Sequence, residues 1–113
     1  MTFFDSFSLP EPLQRAIDDL GFTEPTDIQR SAIPALLDGR DVVGIAQTGT
    51  GKTAAFGLPL LAHVDAAERH VQALVLTPTR ELALQVAEAI GKLGSRKRGI
   101  VALPVYGGQP IER

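Results

Sequence analysis

The glycine-rich stretch at residues 46–53 constrains the fold of this chain more than any other. An apolar, β-branched run at residues 41–45 precedes it, and residues 54–58 can continue a helix after it. A strand, a glycine-rich turn and a helix start are the context of a phosphate-binding loop. The usual pattern is G-x-x-x-x-G-K-[ST], and Ala46 replaces its first glycine. This context favours nucleotide phosphate binding over the alternative, a plain strand-to-helix turn with an exposed lysine.

The residue types of the loop suit that chemistry. Gly49 and Gly51 allow successive backbone N–H groups to point toward an anion. Lys52 can reach the outer phosphates as a mobile cation, and the Thr53 hydroxyl can ligate the Mg²⁺ that accompanies a nucleoside triphosphate. Lys52 and Thr53 are therefore the candidate catalytic residues. The predicted phosphate-binding residues are Gln47, Thr48, Gly49, Thr50, Gly51, Lys52 and Thr53.

Composition limits the class of protein. With 113 residues, 44% of them hydrophobic and 21% charged, the chain fits one small globular domain. The absence of cysteine excludes disulfides and thiolate metal sites. A net charge of −2 means that any contact with nucleic acid must come from a local patch. Because the sequence shows neither a signal peptide nor a membrane span, we expect a cytoplasmic protein.

Two helices are predicted before the loop. Apolar residues recur at helical spacing after Pro10, and Gly21 ends that helix. A second helix follows Thr26, which forms a capping box with Gln29 and by itself accounts for that glutamine. Pro34 lies inside this second pattern, so a kink or a split is expected there.

Strands and helices alternate through the rest of the chain. Strands are predicted at residues 41–45, 72–77 and 99–106, and helices at 51–64 and 79–94. In the last helix Leu82, Val86 and Ile90 form the predicted buried stripe. The basic loop 95–98 is interpreted as a solvated turn. The alternation predicts an α/β fold with a parallel sheet.

Four segments occur in a specific order: Gly21-Phe22 with Pro25-Thr26-x-Ile28-Gln29, the loop 46–53, Pro78-Thr-Arg-Glu-Leu-Ala83, and Gly107-Gly108. Together they closely resemble the start of the first RecA-like domain of the DEAD-box ATP-dependent RNA helicases, most of all bacterial members. The resemblance covers essentially the whole chain. It implies a partial RecA-like P-loop NTPase domain, with a parallel sheet flanked by helices. Residues 1–40 would be a helical adenine-recognition segment, and residues 41–113 the N-terminal portion of the ATP-binding domain.

The resemblance implies ATP and Mg²⁺ as ligands and assigns new roles to residues before the loop. Gln29 matches the glutamine that reads adenine, and its carboxamide complements the N6 and N7 edge of adenine but not the guanine edge. Phe4 matches an aromatic residue that stacks on the base, and Phe22 and Thr26 belong to the same adenine-binding segment. Since one amide cannot satisfy every partner at once, we expect the capping box and the adenine contact to coexist only in part.

The resemblance also implies contacts with RNA. The matching positions grip the sugar-phosphate backbone and are Pro78, Thr79, Arg80, Gly107 and Gly108. Backbone contacts carry no base-sequence information, so the implied RNA binding is sequence-independent. The expected activity couples ATP binding and hydrolysis to local unwinding of RNA duplexes.

The sequence leaves two alternative functions open. One is a truncated, non-catalytic module that binds adenine nucleotide or RNA, and the other is a phosphate-loop ATPase unrelated to RNA. The 113 residues contain no Asp-Glu-Ala-Asp motif, so the chain alone is not expected to turn over ATP. In the family, the strand with that motif lies between the strands corresponding to residues 41–45 and 72–77. We therefore expect those two strands to lack their shared partner here.

Overall fold

The computed structural model describes residues 7–46 and 51–106, which contain four α-helices. They are α1 (Glu11–Asp19), α2 (Asp27–Leu37), α3 (Lys52–His63) and α4 (Arg80–Leu93). All four predicted helices are therefore confirmed, with ends within a few residues of the predicted ones. Among the described residues, no helix is long and apolar enough to cross a membrane.

Local capping signals determine where the helices begin and end. Thr79 precedes α4, and its side-chain oxygen accepts a hydrogen bond from the Leu82 N–H at 3.1 Å. Gly39 follows α2 with a φ of +80°, a left-handed conformation that glycine adopts without a steric penalty. The Gly39 N–H donates to the Leu36 carbonyl at 3.1 Å and so satisfies one of the last carbonyls of the helix.

Of the two outcomes expected at Pro34, a kink or a split, the split does not occur. Helix α2 runs without interruption from Asp27 to Leu37, with Pro34 in its last turn. Proline removes one backbone donor, but the Pro34 carbonyl still accepts from the Asp38 N–H at 3.1 Å. Packing of Ile33, which is fully buried, holds the helix against its neighbours in spite of the missing bond.

The hydrophobic core lies where the four helices meet. Burial of apolar side chains is the main favourable term that holds these helices together. Every helix contributes, and three of the nine core side chains come from α3. The core cluster consists of Leu9, Leu13, Ile17, Ile33, Ala54, Leu58, Leu61, Ile90 and Leu93.

Only the C-terminal half of α4 reaches this core. Ile90 and Leu93 are buried, whereas Val86 is half-buried and Leu82 is 38% exposed. The predicted stripe is therefore correct at Ile90 and wrong at Leu82. Helical periodicity places Leu82 on the same face as Ile90, but burial also requires a packing partner at that end of the helix.

The predicted parallel sheet is not confirmed, because no residue in the ranges 7–46 and 51–106 belongs to a β-strand. Residues 41–46, 71–77 and 100–106 lie outside regular secondary structure. In the last segment exposure alternates: Val101 is 84% and Leu103 59% exposed, while Ala102 and Pro104 are half-buried. A period of two is typical of extended backbone with one face against the helices. The exposed faces of all three segments carry large apolar side chains: Val43, Ile45, Val71, Leu74, Leu76, Val101, Leu103 and Val105.

The basic loop after α4 links it to two other helices. Arg96 donates two hydrogen bonds to the Asp19 carboxylate, at 2.7 and 3.1 Å, and holds the pKa of that carboxyl below its ordinary value of 3.8. The Lys97 ammonium donates to the Leu61 and Val64 carbonyls at 2.6 and 2.5 Å, at the C-terminal end of α3. The interpretation of this loop as a plain solvated turn is therefore wrong for Arg96 and Lys97.

Candidate nucleotide site

The candidate nucleotide site is the junction between the start of α2 and the start of α3. Gln29, in the first turn of α2, is only 3% exposed, although its side chain is polar. Gly51, which immediately precedes α3, lies directly against it. The predicted adenine-reading residue and the predicted phosphate loop, 22 positions apart in sequence, are thus in direct contact.

The Gln29 carboxamide bonds to both sides of this junction. Its Oε1 accepts a hydrogen bond from the Thr26 N–H at 2.9 Å, which is the predicted capping-box bond. Its Nε2 donates to the Gly51 carbonyl at 3.2 Å. A primary amide offers two lone pairs and two hydrogens, and these contacts use one of each. One lone pair and one hydrogen of the carboxamide therefore remain after these two contacts.

The Thr26 hydroxyl provides a second polar group at the junction. Its oxygen is buried and has no hydrogen-bond partner among residues 7–46 and 51–106. A buried polar atom without a partner is costly, so such atoms often mark places where a ligand or an ordered water binds. This hydroxyl faces the same glycine as Gln29, because a Cβ placed on Gly51 would lie 3.0 Å from it.

Gly51 is the position where the backbone requires glycine most clearly. Its φ is +83°, in the left-handed region, and it is the N-cap of α3. A Cβ built there would also collide with Gln29 Nε2. The site therefore depends on glycine twice, once for the turn into the helix and once for the close approach of Gln29.

Lys52 and Thr53 are the first two residues of α3, as the sequence predicts. The Lys52 side chain is exposed and the Thr53 side chain is half-buried. The start of a helix carries unpaired backbone N–H groups and a partial positive charge, both of which favour an anion. These residues therefore stand where a phosphate chain could be bound by backbone and side chains together.

Some predicted residues fall outside the described ranges. Phe22 is described, lies just before α2 and is 36% exposed. Its exposure leaves the ring accessible on one side, although it also makes contacts within the chain. The predicted site residues that lie outside the described ranges are Phe4, Gln47, Thr48, Gly49, Thr50, Gly107 and Gly108.

The predicted RNA-contacting residues at the start of α4 form a second exposed site. Pro78, Thr79 and Arg80 are all exposed. The Thr79 oxygen accepts from the Leu82 N–H, so the hydroxyl hydrogen can be donated to a phosphate. The Arg80 guanidinium lies over the Tyr106 ring, 5.6 Å from its centroid. Tyr106 is not among the predicted site residues, and the signal that could have indicated it is an aromatic residue directly before Gly107-Gly108.

Comparison with known proteins gives the same family from sequence and from structure. A family model described as DEAD/DEAH box helicase matches residues 26–113. The "DEAD-box ATP-dependent RNA helicase CshA" of Bacillus cereus is 52% identical over 113 residues, covering 100% of this chain and 21% of the relative. This chain thus spans about a fifth of the length of that curated relative.

Two solved structures resemble the chain over most of its length. The Prp28 RNA helicase from Chaetomium thermophilum, bound to ADP, has a TM-score of 0.85 and 39% identity, over 99% of this chain and 28% of that one. Dbp5 from S. cerevisiae, bound to RNA and ADP BeF3, has a TM-score of 0.82 and 37% identity, over 87% of this chain and 26% of that one. The helices described above are therefore arranged as in these helicases.

Proposed function

This chain belongs to the DEAD/DEAH box helicase family, and from that premise we propose that it is the ATP- and RNA-binding N-terminal part of an ATP-dependent RNA helicase. Such an enzyme couples ATP binding and hydrolysis to local unwinding of RNA duplexes. The observation that best supports the proposal is the contact between Gln29 and Gly51, which joins a base-reading side chain to the phosphate loop. We propose a cytoplasmic location for the parent enzyme.

The residues at the junction fit an adenine nucleotide. The lone pair and hydrogen that remain on the Gln29 amide match the donor and acceptor that adenine presents at N6 and N7. Guanine presents an acceptor in place of the N6 donor, so the same amide would be mismatched. The buried Thr26 hydroxyl adds one more polar group to this junction. In this proposal Phe22 and Phe4 flank the base.

The loop and the start of α3 would bind the phosphates. Gly51, whose close surroundings leave no room for a side chain, allows the backbone to approach the ligand. Lys52 would neutralise the outer phosphates, and Thr53 would hold Mg²⁺ through its hydroxyl, with Gln47, Thr48, Gly49 and Thr50 completing the loop. Bound ATP supplies the phosphoanhydride bond whose hydrolysis drives the cycle. That the 113-residue chain alone does not turn over ATP stays a prediction.

We further propose that residues 78–80, with Gly107 and Gly108, bind the RNA backbone. The start of α4 combines a helix N-terminus, a hydroxyl and an exposed guanidinium, all of which suit phosphate oxygens. The Dbp5 relative bound to RNA and ADP BeF3 supports this part of the proposal. Within it, residues 1–40 serve adenine recognition and residues 41–113 serve phosphate and RNA binding.

The proposal is tested by titrating the purified chain with Mg-ADP and, separately, with Mg-GDP. We expect ADP to bind at least about tenfold more tightly than GDP, because a buried amide discriminates against a mismatched edge. Gln29→Ala should weaken ADP binding about tenfold or more by removing two hydrogen bonds, and leave GDP binding nearly unchanged.

Controls separate recognition from folding. Gln85→Ala removes the same side chain from the exposed surface of α4 and should change neither affinity. Circular dichroism of each variant establishes that the helices persist. If the folded chain binds ADP and GDP equally, Gln29 does not read the base and the adenine part of the proposal is refuted.

A further inference from the structure

The stacking of Arg80 on Tyr106 joins two segments that are distant in sequence. Arg80 is the first residue of α4, and Tyr106 directly precedes Gly107-Gly108. The guanidinium carbon lies 5.6 Å from the ring centroid, within the range of about 6 Å in which a cation is attracted to an aromatic face. Arg80 is exposed and Tyr106 is half-buried, so the ring is the better anchored of the two.

A position over the ring is compatible with hydrogen bonding by the guanidinium at the same time. A guanidinium stacks through its flat face and donates hydrogen bonds in its plane. Stacking on Tyr106 and bidentate binding of a phosphate can therefore occur together. A long, exposed arginine loses side-chain entropy when it binds, and a ring that already restricts it reduces that loss.

We propose that Tyr106 is a positioning residue for RNA binding, which holds the Arg80 guanidinium in place to bind a backbone phosphate. The inference rests on the proposed RNA-binding role of Arg80. It adds a specific reason for arginine at this position, because a lysine ammonium would keep the charge but has no planar group to stack.

The experiment measures binding of a fluorescently labelled, single-stranded oligouridine to the 113-residue chain by anisotropy, at fixed low salt. We expect Arg80→Gln to weaken binding about tenfold. Tyr106→Leu should weaken it about two- to fivefold, as should Arg80→Lys, whereas Tyr106→Phe keeps the ring and should bind within about twofold of the wild type. Arg69→Gln removes the same charge from the exposed loop after α3 and is the matched control.

The double variant Arg80→Gln/Tyr106→Leu distinguishes positioning from general structural damage. If Tyr106 acts through Arg80, the double variant binds RNA no more weakly than Arg80→Gln alone. In the free chain, the ring current of Tyr106 should also shift the Arg80 side-chain proton signals upfield in an NMR spectrum, and Tyr106→Leu should abolish that shift. Circular dichroism and Mg-ADP binding check that each variant is folded.

The outcomes separate the two proposals. If the folded chain does not bind the oligouridine, or if Arg80→Gln binds it like the wild type, the proposed RNA-binding role is refuted and this inference with it. If Arg80→Gln weakens binding but Tyr106→Leu does not, only the positioning role is refuted. The same conclusion follows if Tyr106→Leu weakens binding equally with and without Arg80, because its effect is then structural.

Discussion

Replacing Gly51 by alanine tests the contact at the centre of the nucleotide site. A left-handed φ of +83° disfavours alanine, and this backbone term costs about 1–2 kcal/mol. The new Cβ would also collide with Gln29 Nε2, so the buried amide must move and lose its bond to the Gly51 carbonyl. An unsatisfied buried polar group adds about 1–3 kcal/mol. We therefore expect Gly51→Ala to lower the free energy of unfolding by about 3 kcal/mol in the absence of nucleotide.

Gly39 provides the matched control for the backbone term. Its φ is +80°, nearly the same, but a Cβ there would have nothing within 4 Å. Gly39→Ala should therefore lower the free energy of unfolding by only about 1 kcal/mol, since alanine also reduces the entropy of the unfolded chain. The difference between the two variants measures the crowding at Gln29, separately from the cost of the left-handed backbone.

Urea unfolding followed by circular dichroism provides the measurement. The proteins to be compared are the wild type, Gly51→Ala, Gly39→Ala, Gln29→Ala and the double variant Gln29→Ala/Gly51→Ala. In the Gln29→Ala background the alanine at position 51 should cost less, about 1–2 kcal/mol, because the clash with Gln29 is gone and only the left-handed backbone and the 3.0 Å approach to the Thr26 hydroxyl remain. If Gly51→Ala costs no more than Gly39→Ala, or costs the same with and without Gln29, the reasoning about this contact is wrong.

Two further predictions concern the ends of helices. Thr79→Ala should lower the free energy of unfolding by about 1 kcal/mol because α4 loses its N-cap bond, while Thr79→Ser should retain most of it; urea unfolding checks both. Asp19→Asn should lower the unfolding temperature slightly near pH 7, and the difference from the wild type should shrink as the pH falls through the lowered pKa of Asp19. The hydrogen bonds from Arg96 lower the pKa of Asp19, so the ion pair stabilises the fold while Asp19 is charged and stops doing so once the carboxyl is protonated. A difference in unfolding temperature that stays constant as the pH falls would contradict a stabilising role for this pair.

Features encoded by local sequence were predicted correctly. The capping-box bond from the Thr26 N–H to the Gln29 side chain and the N-cap bond at Thr79 depend on residues three positions apart, and both of these bonds are present in the structure. Apolar residues at helical spacing after Pro10, namely Leu13, Ile17 and Leu20, likewise predicted the first helix, and Leu13 and Ile17 are buried whereas Leu20, just after α1, is 37% exposed. Signals of this kind need no knowledge of how the chain folds back on itself.

Features that depend on distant partners were missed or mispredicted. The roles of Arg96 and Lys97 require acceptors on α1 and α3, and nothing near them in sequence reveals those acceptors. The strand predictions are not confirmed, for a related reason. Residues 41–45 have the composition of a buried strand, yet Val43 and Ile45 are more than nine-tenths exposed. A strand forms only when a neighbouring strand pairs with it, and residue type alone does not supply that neighbour.

Position 29 requires glutamine for two independent reasons, one set by a partner nearby in sequence and one by a distant partner. The bond to the Thr26 N–H needs an acceptor, and the bond to the Gly51 carbonyl needs a donor. Glutamate would place a carboxylate against that carbonyl and lose the donor, and asparagine is one methylene shorter. In the proposed function, the same two atoms present the remaining lone pair and hydrogen to adenine. On that proposal, a side chain fixed at both ends is oriented before its ligand arrives, so the bonds that hold α2 against the phosphate loop would also reduce the entropy lost when the base binds.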